Sequence, residues 1–538
     1  MVQSSYAIDF GTSNTVVTRW NRLTNASETL SLPNWSVSLG SNPPLIPSLL
    51  YVENAETADV VLGQAVRDRG LDVSKDPRFF RNFKRGIGTE VRGFVPEIDD
   101  QQVPFEQVGT WFLSTLIQKL QEEEPIESLV FTVPVDSFEA YRSWLGQLSQ
   151  SLDVGQVRML DEPTAAALGY GLDDQELLLV MDFGGGTLDF SLVQREIVQN
   201  PSGQVTNELT GFVLQWGEKN MADNSAQRCR AARVLAKAGQ NLGGADLDQW
   251  LVDYFAEVRD LPVSPLTMRL AERLKIQLST EEKATEVYFN DETFESYELE
   301  LDREGFQNIL RENGFFKRLD ECLKAVLEQG RQRDIDRIDI DAVLLVGGTA
   351  QIPAVKNWLK RYFSEDKIKA EKPFEAIAQG ALQLTQGVEI KDFLYHGYGI
   401  RFWNHRTKCH DWHPIIHAGQ PYPMSRPLEL FLGASVANQP CIELVIGELG
   451  EKSTRTEVYF DGDQLIMKSV GSSQAEVQAL NDRNGARNLA TLNPPGSPGM
   501  DRIKLQFSVD SDRYLRVTVK DLLTEKLLQD NRIVVQLS

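Results

Sequence analysis

Between Leu177 and Val193 an apolar run ends in Asp182 and Phe183, and Gly184, Gly185, Gly186, Thr187 and Asp189 follow before a second alternating run. Short apolar runs bounded by turn residues read as buried strands. The stretch is therefore a hairpin, with an acid closing its first strand and bare backbone at its tip. Glycine lets peptide N–H groups approach a ligand closely. Exposed N–H groups in a turn attract anions, and an adjacent carboxylate suits a metal-bound phosphate. A tight turn that merely needs glycine is an equal competitor for one such hairpin. The layout recurs near the start, where Tyr6-Ala-Ile-Asp9-Phe-Gly11-Thr12-Ser13-Asn14 leads into Thr15, Val16 and Val17. Two copies in one chain would set two phosphate-gripping turns on opposite walls of a cleft.

The elements that position these turns come from the rest of the chain. At 538 residues it is long enough for three or more domains, and its 41% hydrophobic and 25% charged residues are ordinary globular values. A net charge of −22 argues against nucleic acid or an anionic membrane as a main partner. Four scattered cysteines, Cys229, Cys322, Cys409 and Cys441, indicate no disulfide framework and fit a reducing, cytoplasmic setting. No signal-like leader and no apolar run long enough to span a bilayer is present in the sequence.

Residues 1–60 read as strands and loops broken by Pro43, Pro44 and Pro47. Arg78, Arg81, Lys84, Arg85 and Arg92 form a basic cluster that is either a phosphate contact or, more commonly, a solvated face. Apolar positions 105, 108, 112, 116 and 120 predict an amphipathic helix. Ser128–Val135 reads as a buried strand, and Asp136 to Glu139 as a capping box opening the next helix. Asp161-Glu162-Pro163 opens another, where Glu162 is at least an N-terminal helix acid. This order suggests layered α/β structure.

From 225 to 285 the chain reads as largely helical, interrupted at Gly243-Gly244, with Asp246 and Asp248 just beyond. Glu272, Lys275 and Ser279 share one helix face, by default a solvated stripe. Residues 338–348 predict a strand ending in Gly347 and Gly348, with Pro353 opening a helix, another place where a nucleotide could meet backbone. No G-x-x-x-x-G-K-[ST], G-x-G-x-x-G at the glycine run or H-E-x-x-H occurs.

In combination these motifs resemble the 70-kilodalton heat-shock chaperone family, within the actin-like ATPase superfamily. The resemblance rests on Asp9–Thr15, Phe-Lys84-Arg-Gly-Ile-Gly, Thr132-Val-Pro134, Glu162-Pro-Thr-Ala-Ala-Ala-Leu, Asp182–Asp189, Leu242-Gly-Gly, Glu272-Arg-Leu-Lys275 and Leu345-Val-Gly-Gly348. It is good over about residues 5–390 and weak beyond. The resemblance implies an α/β actin-like ATPase, with duplicated ribonuclease-H-like halves around a nucleotide cleft, followed by a β-sandwich domain. It further implies ATP and magnesium. Asp9, Asp182 and Asp189 would hold the hydrated metal. Gly11, Thr12, Ser13, Asn14, Gly184, Gly185, Gly186 and Thr187 would cradle the phosphates. Lys84, Glu162, Asp182 and Thr187 would serve hydrolysis, a reaction that depends mainly on positioning and charge neutralisation. Glu272, Lys275, Ser279, Gly347, Gly348, Thr349 and Gln351 would take the adenosine side, and Pro134 and Arg142 resemble a relay to the next domain.

Three departures stand out. Gln351 replaces an arginine usual in the family's adenosine turn, Phe374 replaces an acid, and the interdomain linker is only faintly echoed by Val388–Leu394. The first two suggest weaker nucleotide affinity.

We expect an ATPase domain at 1–387, a linker at 388–396 and a β-rich, substrate-binding-like domain at 397–538. The last has strands near 428–436, 441–449, 456–460, 503–509 and 514–519 and a long polar loop at 471–501. The sequence ends after the last strand, which fits a short member without the family's helical lid. All five histidines lie between His396 and His417, with Cys409 among them, and read as a solvated loop rather than a zinc site. The expected activity is ATP-driven binding and release of unfolded or extended polypeptide, with a J-domain co-chaperone and a nucleotide exchange factor as implied partners. An ATP-dependent scaffold for one folded partner is the alternative, and a metabolite kinase of the same superfamily ranks third.

Overall fold

The computed structural model describes residues 4–537 other than 22–23, 39, 41, 89, 92–94, 135–137, 173–175, 200–204, 209–213, 217–230, 291–292, 387–392, 395–396, 405–408, 418–419, 425, 450–453, 462–463, 472–476, 482–486 and 511–512. The expected Asp136 cap, Arg92, Cys229, His396, His405, the Arg142 side chain and most of the 388–396 linker lie outside the described residues. The chain divides into two compact units, residues 1–390 with 457–468, and residues 391–456 with 469–538.

The first unit holds two sheets built by one rule. In the first, Ser4–Phe10 pairs antiparallel with Asn14–Asn21, which pairs antiparallel with Ala26–Thr29. On its other side Ser4–Phe10 runs parallel to Ile126–Val133, which runs parallel to Gln156–Asp161. In the second sheet, Leu177–Phe183 pairs antiparallel with Leu188–Gln199, which pairs antiparallel with Ala231–Gln240. Its other side runs parallel to Ala342–Val346 and then Ile368–Lys369. Central strands covered on both faces read as unbroken apolar runs, and residues 177–181 are accordingly all buried.

Two short helices tie the sheets together. Glu162–Tyr170 and Glu375–Leu382 pack side by side through Ala165, Ala166, Ala376 and Ala381, between the inner faces that supply Ala7, Val130, Leu178 and Val180. Their backbones are so close that a Cβ at Gly169 would fall 1.8 Å from Ala376 O, and one at Gly380 equally close to Ala165 O. Only glycine permits that approach. Asp161 caps the first of these helices by accepting from the Thr164 N–H at 2.8 Å.

The outer faces are covered by helices. Phe105–Glu123 buries Val108, Phe112, Leu116 and Leu120, the predicted stripe. Gly244–Arg259, Pro265–Thr280, Arg303–Glu312 and Phe315–Arg331 cover the second sheet through Leu251, Leu274, Leu310 and Leu323.

One stretch differs from expectation. Ala231–Gln240 is a strand, not part of a helical run. Its Ala-, Leu- and Lys-rich sequence favours helix locally, but pairing with Leu188–Glu196 along the whole hairpin decides its state.

The second unit is all strand among its described residues. Leu428–Gly433, Asp501–Val509, Tyr514–Asp521 and Leu527–Gln536 form one antiparallel sheet. A second sheet contains Cys409–Ile416, Gly397–Asn404, Ile446–Leu449 and Val477–Ala479, and Gln439–Leu444 pairs with Arg487–Gly496. Tyr398, Ile400, Ile446, Leu505, Phe507 and Val517 from these sheets share one core.

Two predicted loops are strands. Cys409–Ile416 pairs with Gly397–Asn404, placing His410 edge-on to Trp403. Arg487–Gly496, within the expected 471–501 loop, pairs with Gln439–Leu444 despite its prolines. Within the described residues, no cluster of three His, Cys, Asp or Glu could hold a metal, and no helix is long and apolar enough to cross a membrane.

Candidate functional site

Both hairpins close in the same way. The Gly11 N–H donates to Asn14 O at 3.1 Å, and the Gly184 N–H donates to Thr187 O at 3.2 Å. Ser48 braces the first turn, its hydroxyl donating to Gly11 O at 2.7 Å. Thr349 braces the second, its hydroxyl donating to Gly184 O at 2.8 Å. The two turns confront each other. A Cβ at Gly185 would lie 1.9 Å from Ser13 Oγ, and one at Gly186 2.6 Å from Thr12 Oγ1. The opposed arrangement expected from the repeat is therefore present, and the turns approach so closely that a side chain at Gly185 would meet Ser13 Cβ at 2.7 Å.

Between the turns opens a cavity of about 210 Å³. Its lining includes Asp9, Gly11, Thr12, Ser13, Asn14, Lys84, Glu162, Asp182, Gly184, Gly185, Gly186 and Thr187. Glu272, Lys275, Ser279, Gly347, Gly348, Thr349 and Gln351 line it as well. Of the predicted site residues only Asp189 lies elsewhere. It lines an adjoining hollow of about 20 Å³ that shares Glu162 and Asp182 with the cavity. Hairpin register sets Asp189 directly across from Asp182.

Lys84 stands on the short 3-10 turn Phe83–Gly86 and donates to Glu162 Oε1 at 2.9 Å. Its ammonium also lies 5.9 Å from the Phe10 and Tyr141 ring centres, and the Tyr141 hydroxyl donates to Lys84 O at 3.0 Å. Burial works against a charged Lys84, but the negative charges of Glu162 and Asp9 outweigh it and hold the ammonium above its ordinary pKa.

The pKa values of the neighbouring carboxylates are raised as well. Burial, then the charge of Glu162, lifts Asp9 to about 6, although Lys84 and the Thr132 hydroxyl, donating at 2.7 Å, partly offset this. Asp182 is raised well above the usual carboxylate range by burial and by the charges of Glu162, Asp189 and Asp9. A divalent cation would relieve this crowding. Among the described residues no three acidic, His or Cys side chains converge to ligate an ion directly. Asp9 and Asp182 therefore fit magnesium, which keeps most of its waters and uses one or two carboxylates plus substrate phosphates.

The basic cluster divides into separate contacts rather than forming a solvated face. Arg85, next to Lys84, donates to Gly186 O and to Asp246 Oδ2, the latter at 2.6 Å, tying the second glycine turn to the Gly244–Arg259 helix. Arg78 pairs instead with Asp99, away from the cavity. Glu272 and Lys275 are also not a solvated stripe. Lys275 is buried, donates to Gly244 O at 2.8 Å and lies 2.6 Å from Asp248. Burial would raise the Glu272 pKa, yet Arg67 and Lys275 hold it below its ordinary value.

Arg85 was weighed from sequence only as one of the basic cluster, and Asp246 and Asp248 received no role, although they adjoin the Leu242-Gly-Gly island. Ile276 and Phe374 also line the cavity. Neither had a spacing signal.

Comparison with known proteins extends this geometry to most of the chain. The family described as Hsp70 protein matches residues 86–200 and 231–394, more than half of the sequence. A protein named chaperone protein DnaK from Thermosipho melanesiensis is 26% identical over 546 residues, covering 96% of this chain and 78% of its own. That of Thermotoga maritima is 26% identical over 543 residues with the same coverage, and that of Ureaplasma parvum 26% over 506 residues, covering 89% and 72%. The first matched segment holds Glu162 and Asp182, and the second holds Lys275 and Gly347. The chain belongs to the Hsp70 family.

Proposed function

We propose that this chain is an ATP-hydrolysing chaperone that binds unfolded or extended polypeptide under nucleotide control. The observation that carries the reading is the pair of confronting glycine turns with Lys84, Glu162, Asp9 and Asp182 in one cavity. Membership of an ATP-dependent chaperone family supports it.

In this reading residues 1–387 form an actin-like ATPase domain of two ribonuclease-H-like halves, an assignment supported by the matching strand senses of the two sheets. Residues 388–396 are the linker and 397–538 a β-sandwich that holds polypeptide. J-domain and nucleotide-exchange partners and a cytoplasmic setting belong to the same proposal.

The two turns grip the terminal phosphates from opposite sides through backbone N–H groups. Magnesium, when bound, neutralises phosphate charge and orients the transferred group. Lys84, kept protonated by Glu162, lies where charge develops on the phosphoryl oxygens. Glu162 accepts a hydrogen bond from the attacking water and so fixes its direction. Thr132 orients Asp9, and Thr349 keeps the second turn seated. Glu272, Lys275 and Ser279 approach the sugar and base.

The deciding experiment measures release of a fluorescent unfolded peptide from the full chain with and without ATP. Faster release with ATP is expected. Nucleotide-independent binding of a single folded partner would replace this reading with the scaffold alternative.

A further inference from the structure

The cavity is divided by chemistry. Its charged lining, Asp9, Lys84, Glu162 and Asp182, gathers at the glycine turns, with Glu272 and Lys275 beside Gly244. The remaining wall is apolar, made by Leu45, Ile276, Ile352, Pro373, Phe374 and Ile377. Of these only Phe374 is aromatic. A Cβ at Gly348 would come within 3.1 Å of Phe374 Cε1, so the ring edge rests on that backbone. Val16, Leu45 and Ala378 also pack against it. It is half-buried and lines the cavity. Gln351 and Thr280 supply neutral polar groups nearby.

We propose that Phe374 is the base-recognition residue of this site, an aromatic platform on which the purine of the nucleotide packs. This rests on the ATP-binding reading above. Pockets of this kind take the flat apolar part of a ligand against aromatic and aliphatic walls and fix its orientation with a few polar groups. Base–aromatic contact depends on the area of the π face, so purines gain more from it than pyrimidines. Among the described residues no cationic side chain lines the apolar wall. The base contact on this wall thus rests on dispersion and desolvation and depends less on salt than the phosphate contact does.

Calorimetry on the full chain tests this with three ligands in the presence of magnesium: ATP, CTP and inorganic tripolyphosphate. Wild type is expected to prefer ATP to CTP. Phe374→Ala should lose about tenfold or more in ATP affinity, bring the ATP-to-CTP ratio close to one and leave tripolyphosphate binding unchanged. Phe374→Leu keeps the bulk that packs on Gly348 and should show the same loss of preference, whereas Phe374→Tyr should retain it. An unchanged ATP-to-CTP ratio in both the Ala and Leu variants, or equal weakening of tripolyphosphate, overturns the assignment. Wild type that binds ATP and CTP equally overturns it while leaving the ATPase reading intact. Wild type that binds none of the three ligands overturns both.

Discussion

Lys84 and Glu162 meet at 2.9 Å, each about nine-tenths buried, bridging a 3-10 turn and the first residue of a helix. The pair fixes a cation beside two carboxylates whose pKa values are raised by burial and by neighbouring negative charge. Lys84→Ala should therefore lower single-turnover ATP hydrolysis by about a hundredfold or more, as removal of one preorganised charge does. ATP affinity should change little. Unaltered turnover would remove Lys84 from the reaction.

Gly185 leaves little room for a side chain, because a Cβ there would lie 1.9 Å from Ser13 Oγ and 2.7 Å from Ser13 Cβ. Gly185→Ala must push the two turns apart. The expected result is at least a tenfold loss of ATP affinity with thermal stability close to wild type, read by calorimetry and melting. Double substitution with Ser13→Gly should restore part of the loss.

The pH behaviour of the nucleotide-free protein follows from Asp9. Its pKa is lifted to about 6, first by burial and then by Glu162. A carboxylate raised in the folded state costs stability once ionised. The cost is absent below the unfolded value of about 4, grows as pH rises and is complete above about 6. Asp9→Asn should flatten this part of the stability curve between pH 4 and 6 and raise the melting temperature at pH 7.5 without magnesium. Magnesium-dependent ATP affinity should fall as pH drops below about 6, where the proton competes with the metal. Thermal melts of the variant that keep the wild-type pH slope would refute the assignment.

Arg502 and Asp521 form a buried ion pair in the second unit at 3.1 Å, exposed by only 8% and 2%. The Leu523 N–H also donates to Asp521 at 2.9 Å. Burial alone would raise the Asp521 pKa, but these donors hold it below the usual carboxylate range. Its contribution is present above the unfolded pKa and is lost as pH falls through the lower folded value. Asp521→Ala leaves an uncompensated guanidinium and should destabilise the β-rich unit by about 3–5 kcal/mol, seen as an earlier transition in chemical denaturation. Asp521→Ala together with Arg502→Met should recover most of it.

The two confronting glycine turns were legible because their residues are compressed into a few adjacent positions, and because the chain writes the device twice. Glu162 and Lys84 were legible only as members of islands whose order resembles a family. Nothing local to Lys84 distinguishes it from Arg78, which pairs with Asp99 instead. Three-dimensional pairing decided the rest. Ala231–Gln240 is helical by composition and a strand by its neighbour. Cys409–Ile416, polar and histidine-bearing, is an exposed strand whose solvated side chains hide the alternation that usually marks one. Phe374 was visible as a departure, but its place against Gly348 required the fold.

The confronting turns also set the mechanical scale of the site. One wall belongs to the sheet of Ser4–Phe10 and the other to the sheet of Leu177–Phe183, so neither half holds a complete grip. With Gly185 against Ser13 and Gly186 against Thr12, the gap depends on how the two sheets are set against each other across the glycine-tight helix pair. With the nucleotide of the proposed function bound, such a site would work as a calliper. A small rotation of one layer would be a large fractional change at the jaws, and the length of the phosphate chain held there would be coupled to the pose of a whole half of the protein.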